Sequence, residues 1–202
     1  VKASKKLAES INAYDKSAGS FAEFFSKHSH EEEMHYFISL LPEKKVLDTG
    51  CGAGKDVEFL VKHGIESIGI DLSEKLLEIA RKEVNAEFKL MDLRELEFPD
   101  NSFGGLISMM SLIHLPREDA LTALKEFNRV LVKNGVMFLV VYEGEGDVER
   151  RQPEHHNALR HYTLFTLHEI ESLLKQAGFE ITRRTIKLGG WKDKIRVFSR
   201  KL

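Results

Sequence analysis

Apolar and polar positions follow helix and strand periods along most of the chain. Leu7, Ile11 and Tyr14 recur at i, i+4 and i+7, which predicts an amphipathic helix over residues 3–14. Tyr14-Asp15-Lys16-Ser17 breaks that stripe. A second helical region, with or without an interruption, runs from Gly19 to Leu41 and carries Phe21, Phe24, Phe25, Met34, Phe37, Ile38 and Leu41 before Pro42 stops it. Aromatic residues at this spacing read first as core contacts. Val46 and Leu47 suit the end of a buried strand, and Val57, Leu60 and Val61 have helical spacing up to about His63 and Gly64. Ile65 to Asp71 reads as the second strand. Ser73 then caps a helix with Leu76, Leu77, Ala80 and Val84.

Glu87 to Met91 is the third strand and Phe103 to Met110 the fourth. Residues 117–132 form a helix with Leu121, Leu124, Phe127 and Leu131 inward, and Asn134-Gly135 is a turn. Val136 to Tyr142 is the fifth strand, and it is central because it is apolar on both faces. Strands alternating with helices predict an α/β fold with a doubly wound parallel sheet. Residues 143–162 break the rhythm with glycines, a proline, arginines and histidines, and read as a long loop or lid. Thr166 and Glu169 make a capping box for a helix through Ala177. Phe179 to Leu188 and Lys194 to Arg200 are the last strands. The Gly189-Gly190 link is too short for a parallel crossover, so that pair is antiparallel. The chain reads as one domain: a helical cap over 1–42, a core over 43–142, the lid over 143–162, and a C-terminal helix and strand pair over 163–202.

Composition narrows the function classes. The 202 residues suit one α/β domain with a sizeable core. A net charge of −2 gives no support for sequence-independent nucleic-acid binding, which needs a basic surface. The longest apolar run is far short of a membrane span, and the first twenty residues carry no signal-peptide core, so cytoplasmic residence is the default expectation. One cysteine, Cys51, excludes an internal disulfide framework and reads as a small filler rather than a nucleophile. The histidines show no acid–histidine spacing on one helix face, so no metal site is expected.

The candidate chemistry centres on Val46-Leu47-Asp48-Thr49-Gly50-Cys51-Gly52-Ala53-Gly54-Lys55, a strand, a glycine turn and a helix start. Such a turn leaves backbone N–H groups bare where a ligand can approach closely. The spacing is neither G-x-G-x-x-G nor a Walker-type phosphate loop. Asp48 would be unhelpful beside a pyrophosphate but suits an ammonium group. Asp71, 21 residues after Gly50 at the end of the next strand, is placed to accept hydrogen bonds from ribose hydroxyls. Asp92, after the third strand, is placed to accept from an exocyclic amine such as that of adenine. All three acids fall at the carboxyl edge, where open α/β sheets bind ligands; the plain alternative is helix caps and turn residues.

These segments resemble the class I S-adenosylmethionine-dependent methyltransferases, of the small-molecule type. Val46 to Gly54 is similar to that family's first motif, Ile68 to Ser73 to its second-strand motif, Met91-Asp92-Leu93 to its adenine segment, and Phe103 to Leu115, with His114-Leu115, to its fourth-strand motif. Arg129 to Gly135 resembles the segment before strand five. The departures are Gly104 for a frequent aspartate, Asn134 for proline and Val136 for the second glycine. The resemblance implies a Rossmann-like seven-stranded sheet, mostly parallel with an antiparallel last strand, plus N-terminal helices. It implies S-adenosyl-L-methionine as cofactor. Gly50, Gly52 and Gly54 form the close-approach turn, Asp48 orients the methionine ammonium, Asp71 holds the ribose, and Leu72 packs on the adenine. Asp92 and the Leu93 N–H hold the adenine edge, Ser108 and Met109 face the methionine part, and Tyr14-Asp15 closes over the cofactor.

His114 is a candidate base near the methyl group or a structural histidine. Arg150, Arg151, His155, His156, Arg160, His161 and Tyr162 cluster in the lid and are candidate contacts to an anionic substrate, with Arg151, His156 and Tyr162 foremost, or part of a solvated loop. No catalytic group is assigned, since an unprotonated nucleophile needs no base. The expected acceptor is a small molecule, because neither the Pro-Cys pair of cytosine-C5 enzymes nor an N-P-P-Y type motif is present. The alternatives are a non-catalytic cofactor-binding protein of this fold, an RNA or protein methyltransferase, and a nicotinamide oxidoreductase, which the glycine spacing disfavours.

Overall fold

The computed structural model describes residues 4–26, 30–152, 157–188 and 190–202. Its centre is a seven-stranded sheet built from β1 (Lys45–Thr49), β2 (Glu66–Asp71), β3 (Glu87–Leu90), β4 (Phe103–Met109), β5 (Leu131–Tyr142), β8 (Phe179–Lys187) and β9 (Lys194–Lys201). The spatial order is β3-β2-β1-β4-β5-β9-β8. β1 to β5 are mutually parallel, and β9 runs antiparallel to both β5 and β8. This is the sheet that the strand–helix alternation and the short link after β8 predict.

Alternation along each strand divides the core between two faces. Leu47, Leu106, Leu139, Val141, Ile195 and Val197 join a cluster with α5 (Ala120–Val130) and α6 (Leu167–Gln176). Val46, Phe138, Val140 and Phe198 join one with α2 (Glu31–Leu40) and Leu60 of α3 (Lys55–Lys62). α4 (Glu74–Glu83) packs through Leu77 and Ala80 with Val57 of α3 on Phe88 of β3. Ser73 caps α4 by accepting from the Leu76 N–H, and Thr166 caps α6 by accepting from the Glu169 N–H. At Gly104 a Cβ would lie 2.2 Å from the Glu43 carbonyl oxygen, so the aspartate frequent in the resembled motif has no room here.

Three expectations are corrected. α1 (Lys5–Ser26) runs unbroken through Tyr14-Asp15-Lys16-Ser17 and Gly19. Its buried stripe is Leu7, Ser10, Ala13, Ser17 and Ala18, which holds a helical period with small and polar side chains. The residues read as breakers bond elsewhere: the Ser73 hydroxyl donates to Asp15 (2.6 Å), and Ser17 donates to the Ala13 carbonyl (2.7 Å). Asn134-Gly135 lies inside β5; the β4–β5 register steps from Phe103↔Leu131 to Gly105↔Val136, so the turn residues form a bulge with Asn134 at φ 62°. Much of the expected loop over 143–162 is an antiparallel hairpin, β6 (Asp147–Gln152) with β7 (Ala158–Thr163).

α1 lies against α4 through Asp15 and against the hairpin through Ser10, which accepts from the His161 N–H, and Glu9, which meets His161 Nε2 at 2.7 Å. It roofs the carboxyl edge of the sheet, with Leu7, Ile11 and Tyr14 facing the space below. Among the described residues, no helix is long and apolar enough to cross a membrane.

Candidate functional site

Under α1, at the carboxyl ends of β1, β2, β4 and β5, lies a cavity of about 1010 Å³. Its floor is the glycine turn. Gly50, Gly52 and Gly54 all have positive φ, at 77°, 55° and 82°. The Gly50 and Cys51 N–H groups donate to the Ile70 carbonyl at 2.7 and 2.9 Å, tying the turn to β2. A Cβ on Gly50 would stand 2.3 Å from the Ser111 Cβ, so β4's continuation reaches the turn only because glycine is there. That continuation bends at Met110, whose φ of 60° is strained for a methionine and sets Met109, Met110 and Ser111 along the cavity.

Three carboxyls surround the turn. Asp71 lines the cavity and accepts from the Gly52 N–H and the Ser73 N–H, each at 2.8 Å. Burial raises its pKa against those donors. Asp48 sits behind the turn, 2% exposed, and its Oδ2 has no hydrogen-bond partner. Burial, then Asp56 and Asp71, hold its pKa well above the carboxylate range. Asp56, in the first turn of α3, also lines the cavity, and burial pushes it up to about 6. The three acids make this end of the cavity acidic, with Lys55 next to Asp56 offsetting part of the charge.

The other wall is Tyr14. Its hydroxyl lies 2.8 Å from His114 Nε2, and His114 Nδ1 lies 3.0 Å from the His161 carbonyl oxygen. A carbonyl only accepts, so Nδ1 carries the proton and Nε2 accepts from the Tyr14 hydroxyl. Burial lowers the His114 pKa to about 4, with a further contribution from Arg160. Burial holds the Tyr14 phenol well above its usual value. Arg160 of β7 is 1% exposed, donates to Ser17 Oγ at 2.9 Å, and places its guanidinium 4.0 Å over the Tyr14 ring.

Of the residues singled out in the sequence, Tyr14, Gly50, Gly52, Asp71, Leu72, Leu93, Met109, His114, Arg150, Arg160 and Tyr162 line this one cavity. Gly54 and Asp48 support the turn from behind. Ser108 is fully buried and bonds Ser111 Oγ at 2.8 Å. Asp92 does not line the cavity. Its two oxygens are held by Arg94, through Nε, Nη2 and the backbone N–H, and Arg94 reaches on to Asp119 at 2.6 Å. Arg151 is exposed on β6 and away from the cavity, and His155 and His156 lie outside the described residues. Sequence reading missed Asp56, Ser111, Tyr142 and Trp191 as cavity residues. Only Asp56 carried a signal, as an acid in the first turn after the glycines. Among the described residues, no three His, Cys, Asp or Glu side chains gather as a metal site.

Comparison with known proteins agrees with this geometry. Residues 46–135 match the family described as a methyltransferase domain. Phosphoethanolamine N-methyltransferase 3 of Arabidopsis thaliana is 27% identical over 149 residues, covering 71% of this chain and 30% of the plant protein. Methyltransferase GfsG of Streptomyces halstedii is 34% identical over 112 residues, 52% of this chain and 40% of that one. The chain therefore spans less than half the length of these curated relatives. The crystal structure of a SAM-dependent methyltransferase from Methanosarcina mazei superposes with a TM-score of 0.74 at 24% identity, covering 82% of this chain and 96% of that one. Residues 46–135 thus belong to the methyltransferase-domain family, on a sheet with the fold of a solved SAM-dependent methyltransferase and with motifs that resemble the class I enzymes.

Proposed function

We propose that this protein transfers a methyl group from S-adenosylmethionine to a small molecule. The observation that carries the reading is the set of carboxyls around a glycine turn, half-buried Asp56 and Asp71 lining the cavity and buried Asp48 behind, whose Oδ2 has no hydrogen-bond partner among the described residues. That set fits a ligand with a cationic end and a ribose, and it fits a pyrophosphate badly. Phosphoethanolamine, named for a relative, is itself a small molecule.

The cofactor, when bound, supplies a methyl group on a sulfonium. The chain's own residues position and desolvate. Gly50 and Gly52 allow close backbone approach, and Asp48 with Asp56 balances the ammonium. Asp71 accepts from the ribose, and Leu72 and Leu93 flank the base. Asp92 stiffens that loop through Arg94. Tyr14, His114 and Arg160 under α1 close the space over the reacting atoms and keep water out. His114 binds a proton weakly, and the one Tyr14 hydroxyl proton is committed to His114 Nε2, so the free lone pair of the Tyr14 oxygen accepts a hydrogen bond from the acceptor and the pair does not serve as a base.

Isothermal titration with S-adenosylmethionine tests the reading. Saturable binding is expected, weakened about 10- to 100-fold in Asp71→Ala, the loss of charge-assisted hydrogen bonds worth about 1.5–3 kcal/mol. Folded protein that gives no heat at about millimolar ligand sinks it.

A further inference from the structure

Beyond the Tyr14–His114 pair the cavity continues into a second compartment. Tyr162 of β7 lies 5.2 Å from His114, ring centre to ring centre. Trp191, between β8 and β9, lies 5.3 Å from Tyr162 and 5.1 Å from Tyr142 at the end of β5. Tyr142 and Trp191 meet edge to face at 85°, and Tyr142 and Tyr162 at 82°, so the three rings pack on one another and present an aromatic wall to the cavity.

The cavity is polarised along its length. The carboxylates that line it, Glu23, Asp56, Glu58, Asp71 and Glu83, come from α1, α3, β2 and α4, and among the described residues none comes from the hairpin or from β5, β8 and β9. Those elements contribute cations. Arg150 of β6 lies 4.9 Å over the Trp191 ring. Lys187 and Lys194 line the cavity directly opposite each other in the β8–β9 ladder, a like-charge pairing that costs stability unless an anion sits between. Among the described residues neither lysine has a carboxylate partner. The field reaches their neighbours: burial and Lys187 lower the Lys194 pKa, and His30, on the same side of the cavity, is pushed down to about 4 by burial, Arg196, Lys194 and Lys187.

We propose that this compartment seats a flat aromatic acid as the methyl acceptor, its ring against the wall of Tyr142, Tyr162 and Trp191 and its ionised group at Lys187, Lys194 and Arg150. The proposal rests on the methyltransferase reading for the word acceptor, and on the compartment alone for the ligand class. An aromatic wall of tyrosine and tryptophan gives area for a planar ring. Paired ammoniums and a guanidinium give charge-assisted hydrogen bonds to an anion and nothing comparable to a neutral amide. The acidic end of the cavity repels the same group, so the two ligands sort to opposite ends.

Trp191 is the single tryptophan of the sequence, so fluorine NMR of 5-fluorotryptophan-labelled protein reads this compartment alone. The protein is first titrated with S-adenosylhomocysteine by calorimetry, then with 4-hydroxybenzoate, 2-naphthoate and indole-3-acetate. At least one acid is expected to move the Trp191 resonance saturably. Its primary amide, and cyclohexanecarboxylate, bind about tenfold more weakly or worse. Lys194→Gln and Arg150→Gln weaken the acid while leaving the S-adenosylhomocysteine heat unchanged. Equal affinity for acid and amide overturns the proposal, as does the absence of any shift at about 10 mM acid. A retained S-adenosylhomocysteine heat in that case leaves the methyltransferase reading standing. Acid binding without that heat sinks the cofactor and keeps the acid site.

Discussion

Tyr14 and His114, 100 residues apart in the chain, share a 2.8 Å hydrogen bond in which the phenol donates to a neutral imidazole. The His161 carbonyl fixes the tautomer from the other side. Tyr14→Phe removes the donor and keeps the ring against Phe21 and under Arg160. The neutral imidazole then loses a stabilising partner, so the His114 pKa rises from about 4. NMR titration of the His114 ring reads this directly, and a wild-type midpoint near the ordinary histidine value would refute the assigned tautomer pair. Turnover is expected to fall about 10-fold, matching the loss of one buried hydrogen bond of about 1.4 kcal/mol, with cofactor affinity little changed.

The same depressed pKa has a consequence for stability. His114 in the fold binds a proton less readily than in the unfolded chain, where its value is 6.5. The unfolded state therefore takes up more protons, and this residue withdraws stability as pH falls from about 6.5 to about 4. His30 acts in the same direction, also from about 4. His30→Gln is expected to narrow the gap between thermal midpoints at pH 7 and pH 5; an unchanged gap would exclude a buried neutral His30.

Asp92 separates a structural from a ligand-binding role. Arg94 is 4% exposed and bridges Asp92 to Asp119, with both bonds at 2.6 Å. Asp92→Asn leaves a buried guanidinium with one fewer carboxylate, a change expected to cost about 2–3 kcal/mol in urea denaturation. Cofactor affinity, read by titration of the folded variant, should fall by less than Asp71→Ala lowers it. The reverse order would return Asp92 to the adenine edge.

The sheet was legible in the sequence because β1 to β5 each pair an apolar run with a glycine, asparagine or acid at its end, and the helices between carry a 3.6-residue stripe. The hairpin was not, because β6 has a single apolar residue, Val148, and β7 buries Arg160 and His161 against α1. Burial of an arginine by stacking on Tyr14 and bonding to Ser17 leaves no hydrophobic period to read. α1 was divided in two for the same reason: Ser10 and Ser17 sit on its buried stripe. At the site, the acids at Asp48 and Asp71 were readable from their place after strands. The Tyr14–His114 bond and the Trp191 wall were not, since they join elements with no sequence proximity.

Gly50 carries two constraints at once, a φ of 77° and a Cβ position 2.3 Å from Ser111. Gly50→Ala therefore adds left-handed strain of about 1–2 kcal/mol to a steric clash. Ser111 cannot yield easily, because its hydroxyl is bonded to Ser108 and its carbonyl accepts from the His114 N–H. Loss of about 2–4 kcal/mol is expected by urea denaturation, with cofactor binding lost in any folded fraction. Gly64→Ala, equally left-handed at 74° but with open space around its Cβ, is the control and should lose only the strain. Similar losses for both would remove the close approach from the account.

Asp56 makes cofactor binding pH-dependent. Burial pushes its pKa up to about 6, and burial raises Asp48 beside it as well. Without ligand, a carboxyl whose folded value lies above its unfolded 3.8 gives its stability below about pH 4 and loses it as pH rises through about 6. Asp56→Asn should accordingly raise the thermal midpoint at pH 7.5 and leave it nearly unchanged at pH 4. An ammonium group arriving beside the pair reverses the balance, because it favours the ionised form and lowers both values. Binding at pH 5 must then expel a proton from Asp56, whereas at pH 7.5 that proton has already left. A group with a pKa of about 6 is only about one-tenth ionised at pH 5, so affinity there should be up to about tenfold weaker than at pH 7.5. Calorimetry in two buffers of different ionisation enthalpy measures the protons directly: Asp56 adds about 0.9 per cofactor at pH 5 and close to none at pH 7.5, on top of the release from Asp48. In Asp56→Asn the release at pH 5 should shrink to whatever Asp48 alone contributes. Equal affinity and no proton release at both pH values would mean that the ammonium is balanced elsewhere, and that the carboxyls under the glycine turn are not its partners.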